Sequence, residues 1–227
     1  MFRRIREDIA FVKEMDPAAR SSFEIFLTYS GLHAVWFYRI SHFFYLIKWF
    51  TLARIISQFA RFITGIEIHP GAKIGRCLFI DHGSGVVIGE TAIVGDCVVL
   101  YQGVTLGGTG KEKGKRHPTL GNHVLVATGA KVLGSLTVGD YAKVGAGSIV
   151  LHPVPPNSTV VGIPARVVVQ DGKRVEDDLN QTDLPDVIGE ECRQLEDRVE
   201  ELEQRLAEME ELLRKTKEGE QFGHSVV

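Results

Sequence analysis

The chain has 227 residues, of which 44% are hydrophobic, and a formal net charge of −3 at pH 7. That length allows one or two domains and the apolar share allows a real core, while so small a net charge excludes a general affinity for nucleic acid or an anionic membrane. Three cysteines, few and odd in number, favour a reducing compartment without disulfides.

The first segment reads as helical. At residues 2–15, Ile5, Ile9 and Val12 share one helical face. The opening MFRRIREDIAF is basic but lacks the apolar core of a signal peptide, so a cytoplasmic location is expected. Asp16-Pro17 predicts a helix start, with Asp16 as N-cap and Pro17 in the first helical position, and this second helix runs to about Tyr29. Ser30-Gly31 reads as punctuation before a third helix from Leu32 to Ile47. A fourth ends at Thr64, where Gly65 stops it. Aromatics crowd the run from Ala34 to Ile63, among them Trp36, Phe37, Tyr38, Phe43, Phe44, Tyr45, Trp49 and Phe50. They fit either an interfacial membrane helix or helices buried in packing or in a subunit interface. Arg39, Lys48, Arg54 and Arg61 interrupt every apolar span of about 20 residues, which rejects a transmembrane helix and favours burial.

From Glu67 to Arg166 a different period takes over. Aliphatics recur every six residues at Ile68, Ile74 and Ile80. The series resumes at Ile88, Val94, Leu100 and Leu106, and continues at Leu120, Val126, Val132, Val138, Val144 and Val150. A period of six fits neither an α-helix nor strand alternation, and is a β-helix signature. It predicts a coil of three short faces, roughly eighteen residues per turn, each repeat pointing one aliphatic inward. The Gly that often follows is expected to turn the corner with positive φ. The 24 glycines, above the usual share of roughly 7%, suit such a coil.

The expected organisation is a helical domain at 1–65, a solenoid at 66–168, a polar linker at 169–186, a coiled-coil helix at 187–215 and a tail at 216–227. In the coiled coil, Cys192, Val199 and Leu206 take a positions and Ile188, Leu195, Leu202 and Met209 take d.

Two features stand outside the hexads. Asp81-His82 lies in a two-residue insertion between Ile80 and Ile88, which frees both side chains from the core pattern. The loop from Gly107 to Pro118 is rich in glycine and cations and ends in Arg116-His117-Pro118. Loops on a rigid scaffold are where function concentrates, and an arginine there suits a carboxylate or phosphate. A lone histidine is usually structural, and a charge run such as KEKGKR is usually solvated.

The combination Glu67-Ile68-His69-Pro70-Gly71-Ala72, Ile80-Asp81-His82-Gly83-Ser84-Gly85 and Gly89-Glu90-Thr91-Ala92 resembles the serine O-acetyltransferases, in the hexapeptide-repeat acyltransferase superfamily. Leu106-Gly107-Gly108-Thr109-Gly110-Lys111, Arg116-His117-Pro118 and Val161-Gly162-Ile163-Pro164-Ala165-Arg166 extend the likeness, as do Asp16-Pro17-Ala18 and Gly31-Leu32-His33-Ala34. It covers roughly residues 1–168. The implied fold is α+β, with an N-terminal helical domain and a left-handed parallel β-helix.

The implied reaction moves acetyl from acetyl-CoA, a co-substrate, to the hydroxyl of L-serine, giving O-acetylserine for cysteine synthesis, with no metal. His82 would be the general base, since an imidazole with an ordinary pKa of about 6.5 is largely neutral at working pH. Glu67 would orient it, one methylene longer than the Asp usual in the family. Asp16 and Asp81 would meet the serine ammonium, and Arg116 and His117 its carboxylate. Gly108, Thr128, Gly145 and Ala146 would line the CoA groove, with Lys143 and Arg166 for its phosphates; Thr128 stands where the family commonly has Ala. The resemblance also implies a homotrimer or dimer of trimers, and O-acetylserine sulfhydrylase as a partner for the C-terminal tail. Three rivals compete with this reading. One is acetyl transfer to a sugar or homoserine hydroxyl. The second is a non-catalytic trimeric scaffold. The third is a γ-type carbonic anhydrase using His69, His82, His117 or His123 as ligands.

Overall fold

The computed structural model describes residues 2–110, 113–170, 195, 197–206 and 209. Four helices come first: α1 (Phe2–Met15), α2 (Ser22–Thr28), α3 (Ser30–Leu46) and α4 (Phe50–Thr64). Gly65, at φ +72°, caps α4 and donates its N–H to the Arg61 carbonyl at 2.8 Å.

The second helix does not start at Asp16-Pro17. Asp16 closes α1, its N–H donating to the Val12 carbonyl at 2.9 Å, and its carboxylate accepts from Ala18 N at 2.8 Å in a turn. The N-cap is Ser21, whose hydroxyl accepts from Glu24 N at 3.1 Å, while Glu24 accepts from Arg20 N at 3.2 Å. This near-reciprocal pairing outcompetes Asp16 as a start signal. Gly31 is not punctuation either. It sits inside α3, where a Cβ would lie 2.1 Å from the Ile80 carbonyl oxygen, so glycine lets the helix press on the coil.

The strands are β1 (Glu67–Ile68), β2 (Lys73–Ile74), β3 (Phe79–Ile80), β4 (Val87–Ile88), β5 (Ile93–Val94) and β6 (Val99–Leu100). β7 (Thr105–Gly107), β8 (Thr119–Leu120), β9 (Leu125–Val126), β10 (Lys131–Leu133), β11 (Thr137–Val138), β12 (Lys143–Val144) and β13 (Ile149–Val150) continue the coil. β14 (Ser158–Gly162) and β15 (Ala165–Gln170) close it as an antiparallel pair. Each turn gives one strand to each of three parallel sheets. Sheet A has the order β1-β4-β7-β10-β13, sheet B β11-β8-β5-β2, and sheet C β15-β14-β12-β9-β6-β3.

The hexad aliphatics stack in register: Ile68 on Ile88 and Leu106, Ile74 on Val94 and Leu120, Ile80 on Leu100 and Val126. All are buried except Ile74, which is partly covered and packs on the same core. Each buried aliphatic side chain stabilises the coil by roughly 1.5–3 kcal/mol relative to an exposed one.

The glycines that follow these aliphatics do not have positive φ. They are needed because the next coil lies too close, as at Gly95, where a Cβ would meet the Gly121 carbonyl oxygen at 2.4 Å. Left-handed corners occur elsewhere. At the C/A edge, where the chain passes from sheet C to sheet A, they are Gly85, Gly103, Gly129 and Gly147. At the B/C edge they are Cys77, Cys97, His123, Tyr141 and Asn157, with φ of 55–59°.

The helices dock on the first coil through polar anchors. Tyr38 donates to the Ala72 carbonyl at 2.7 Å and Ser57 to the Ile68 carbonyl at 2.9 Å. Asp8, buried in α1, takes a bidentate bond from Arg39 of α3 and so ties those helices together. The aromatic run is only partly covered: Tyr38 is buried, but Phe43, Trp49, Phe50, Phe59 and Phe62 are exposed. Burial within the chain's own packing therefore fails for this face. Among the described residues, no helix is long and apolar enough to cross a membrane.

Residues 186–227 form a separate compact unit. Within it 197–206 is helical, and Leu195, Val199, Leu202, Leu206 and Met209 are exposed. Ile188, Cys192, the linker from 171 onward and the tail lie outside the described residues.

Candidate active site

The two extra residues between Ile80 and Ile88 create the first polar cluster, at the C/A edge. Asp81 N donates to the Leu100 carbonyl at 2.9 Å, so sheet C continues to this point. His82 then adopts φ +56°, a left-handed conformation uncommon for a non-glycine residue, and its carbonyl accepts from Ser30 Oγ at 3.2 Å. The imidazole is 74% exposed, with Nε2 3.9 Å from the Asp81 carboxylate. At that distance the two interact electrostatically, without a hydrogen bond.

Asp16 joins this cluster from the end of α1. The Tyr29 hydroxyl donates to its second oxygen, and burial followed by the Asp16 charge pushes the Tyr29 phenol well above its ordinary range. Burial also raises the Asp81 carboxyl; the nearby His82 opposes this and the Asp16 charge adds to it. Among the described residues Asp16 has no ion pair. Two neighbouring carboxylates, one of them beside an exposed imidazole, suit a small cation next to a group that accepts a proton.

The second cluster lies at the A/B edge, between sheets A and B. Arg116 binds the Glu90 carboxylate, and Tyr45 donates to the other oxygen of Glu90 at 3.3 Å. The Arg116 bond, ahead of the opposing effect of burial, holds the Glu90 carboxyl below its ordinary value. Thr91 organises the loop's return: its hydroxyl accepts from Arg116 N at 3.0 Å and from His117 N at 3.1 Å. His117 Nδ1 accepts from Thr91 N at 3.2 Å, which leaves the proton of the neutral ring on Nε2. The ring occupies the space a side chain at Gly89 would need, since a Cβ there would come within 1.9 Å of it. Burial, then the Arg116 charge, depresses the His117 pKa. His69 on the same edge is depressed by burial and Arg54, and its Nδ1 accepts from Gly71 N at 3.0 Å.

Glu67 lies on sheet A between these edges. Its carboxylate forms an ion pair with Arg61 Nη1 at 3.1 Å and lies 4.0 Å from Arg54 Nη2, both from α4. No hydrogen bond joins it to His82. The expected CoA residues divide likewise. Thr128, Gly145 and Ala146 follow His82 along the C/A edge, and Gly147 N donates to the Thr128 carbonyl at 2.8 Å. Lys143 and Arg166 belong to sheet C, and Gly108 begins the loop at the A/B edge. The four histidines named for a metal are spread over all three edges. Among the described residues no group of three or more His, Cys, Asp or Glu converges as a metal site would.

No family model matches the chain. It is 64% identical over 198 residues to the serine acetyltransferase of Bacillus subtilis (strain 168), covering 87% of this chain and 91% of that protein. The chain belongs to the serine acetyltransferase family.

Solved serine acetyltransferases are similar in structure. The Neisseria gonorrhoeae enzyme in complex with serine superposes with a TM-score of 0.72 at 40% identity, covering 74% of this chain and 69% of that one. The Vibrio cholerae enzyme gives 0.77 at 40% identity, covering 80% and 71%. In this chain Asp16, Asp81 and His82 are brought together, and so are Arg116 and His117, but the two groups occupy different edges. Glu90, Thr91, Tyr29 and Tyr45 were given no site role from sequence. For Glu90-Thr91 the signal was spacing, since the pair falls on the turn one coil before Arg116-His117.

Proposed function

We propose that this chain transfers the acetyl group of acetyl-CoA to the hydroxyl of L-serine, giving O-acetyl-L-serine for cysteine synthesis. The observation that carries the reading is the charge of the two edge clusters. One offers carboxylates beside an exposed imidazole, the other an arginine and a histidine, and an amino acid has an ammonium at one end and a carboxylate at the other. A sugar hydroxyl has neither.

Asp16 and Asp81 hold the ammonium, and Arg116 and His117 hold the carboxylate, Arg116 through its fork of donors. His82 takes the hydroxyl proton as the serine oxygen attacks the thioester carbonyl carbon. The tetrahedral adduct collapses with cleavage of the C–S bond, and the imidazolium returns its proton to the departing CoA thiolate. Glu67 orients the ring and offsets its positive charge, turning from Arg61 to do so.

One chain cannot close this site, because its halves lie on separate edges. A homotrimer, alone or paired as a dimer of trimers, sets the C/A edge of one chain against the A/B edge of the next. The coil then winds left-handed, as in the family. Acetyl-CoA runs along that seam. At Gly129 and Gly147 an added Cβ would meet nothing within 4 Å, which leaves room for an extended pantetheine arm along the edge that carries Thr128, Gly145 and Ala146. Gly108 approaches it from the neighbouring chain, and Lys143 and Arg166 serve the phosphates.

Residues 187–215 extend the assembly as a parallel coiled coil. Its g positions Arg198 and Arg205 face Glu203 and Glu210 of the neighbouring helix. The tail ending in Val227 is the segment offered to O-acetylserine sulfhydrylase, and co-purification with and without 216–227 tests that pairing.

The reaction is tested by thiol release from acetyl-CoA against L-serine, homoserine and a panel of sugars. L-serine is expected to give the highest kcat/KM. A sugar or homoserine that exceeded it would overturn the assignment.

A further inference from the structure

The B/C edge carries a ladder of outward side chains that the reaction does not use. Cys77, Cys97, His123 and Tyr141 occupy equivalent corners of successive coils, with φ between 55° and 59°. Their spacing is visible at the upper rungs. The rings of His123 and Tyr141 stack 4.7 Å apart with only 4° between their planes, so neighbouring side chains on this edge run parallel, one strand spacing apart.

Cys77 and Cys97 are consecutive rungs of the same ladder. The pairings on both sides fix this: Ile74 opposes Val94 three residues before the cysteines, and Phe79 opposes Val99 two residues after them. Cys97 N donates to the Arg76 carbonyl at 2.9 Å, which locks the register at the corner itself. One rung puts the two Cα atoms on the order of 4.8 Å apart, inside the roughly 4.4–6.8 Å window of a disulfide. Neither cysteine is in a disulfide, both are half-buried, and Cys77 hydrogen-bonds Cys97.

We propose that Cys77 and Cys97 are a reversible oxidation site, closing to an intramolecular disulfide under peroxide and reopening with a thiol reductant. One thiolate attacks the peroxide O–O bond, forming a sulfenic acid and releasing hydroxide. The second thiolate then attacks that sulfur, forms the S–S bond and expels the oxygen, which leaves as water once protonated. In sum two thiols and one hydrogen peroxide give one disulfide and two waters, the sulfurs being oxidised and the peroxide reduced.

The surroundings set the pace. Burial first, then the negative Asp8, raises the Cys77 pKa, against the hydrogen bond from Cys97 and the charge of Arg76. The Glu7–Arg76 ion pair, at 3.1 Å, crosses from α1 to this corner. The pair is therefore slow to oxidise at neutral pH and faster in alkali, where more thiolate is present. Once formed, the bond ties the first coil to the second around a twenty-position loop and restricts the unfolded chain.

The full chain carrying Cys192→Ser, treated with hydrogen peroxide, provides the test. Non-reducing peptide mapping is expected to show Cys77 and Cys97 peptides joined, with a mass two hydrogens below the sum of the free peptides. Thermal unfolding should rise by several °C and return to its starting value with dithiothreitol. Cys97→Ser, in the same background, should lose the linked peptide and the reversible shift. Sulfinic or sulfonic acids at unlinked Cys77 and Cys97, or disulfides only between chains, would overturn the proposal.

Discussion

The Glu67 carboxylate is bound to Arg61 at 3.1 Å and not to the imidazole of His82. The residue expected to orient the base is thus held by α4, and the proposed mechanism requires it to leave Arg61 for His82. His82→Ala is expected to lower acetyl transfer by about 10²- to 10⁴-fold, the usual contribution of a general base, with the coil intact by circular dichroism. Glu67→Gln should cost less, since it removes an orienting charge and not the proton acceptor. Retention of a third of the turnover by His82→Ala would remove His82 from the mechanism.

Arg116→Ala should raise KM for serine well above any change in KM for acetyl-CoA. The guanidinium is the forked donor at the A/B edge, and Glu90 and Thr91 set its position. Equal rises for both substrates would instead assign Arg116 to CoA phosphate or to loop packing. Steady-state kinetics with each substrate varied in turn make the distinction.

Gly95→Ala and Leu106→Ala probe different parts of the coil. The alanine Cβ at position 95 would lie 2.4 Å from a carbonyl oxygen of the next turn, so a loss of about 1–3 kcal/mol is expected from overpacking. Leu106 is fully buried, and its truncation should cost about 2–5 kcal/mol. Chemical denaturation reads both. A neutral Gly95→Ala would mean that the coils can separate more easily than their ladder of hydrogen bonds implies.

Stability should fall on acidification from neutrality. His69 and His117 both accept a backbone N–H at Nδ1, and their pKa values are depressed, chiefly by burial. Below about pH 6.5 the unfolded chain takes up these protons before the folded one does, so acid favours unfolding. The contribution is complete above that range and is lost as pH falls through the depressed values. Thermal melts at pH 7.5 and 5.5 should differ more for the wild type than for His69→Gln/His117→Gln.

Truncation after Asp186 should lower thermal stability or loosen the oligomer while sparing most acetyl transfer. Leu195, Val199, Leu202, Leu206 and Met209 are exposed in the single chain, and three helices would cover them. Analytical ultracentrifugation of full-length and truncated protein tests this, and an unchanged oligomer with an unchanged melt would count against the coiled coil.

The hexad period made most of the coil legible, because an inward aliphatic is obligatory at every face and its spacing fixes the register. Asp81-His82 was legible for the complementary reason: two residues too many must leave the core. What sequence could not supply was contact between residues distant in the chain. Gly31 looked like a break because nothing nearby in sequence announces the Ile80 carbonyl beneath it. The ion pair of Glu67 with Arg61 could not be foreseen either, because α4 is out of view when the hexads are read alone. The aromatic helices were less legible: apolarity is spread around α3 and gathered on one side of α4, and neither pattern tells a face covered by the chain itself from one left open.

The two ends of the coil differ from its middle, and this bears on how the protein avoids self-polymerising. A stack of parallel strands leaves unpaired N–H and C=O groups at its first and last turns, an open template for adding another molecule end to end. Here α3 and α4 lie on the first turn, with Tyr38 and Ser57 capping the Ala72 and Ile68 carbonyls. At the far end the chain reverses, and β15 pairs antiparallel with β14. Removing β15 would bare β14 at the end of sheet C, and association of chains end to end along the coil axis should increase.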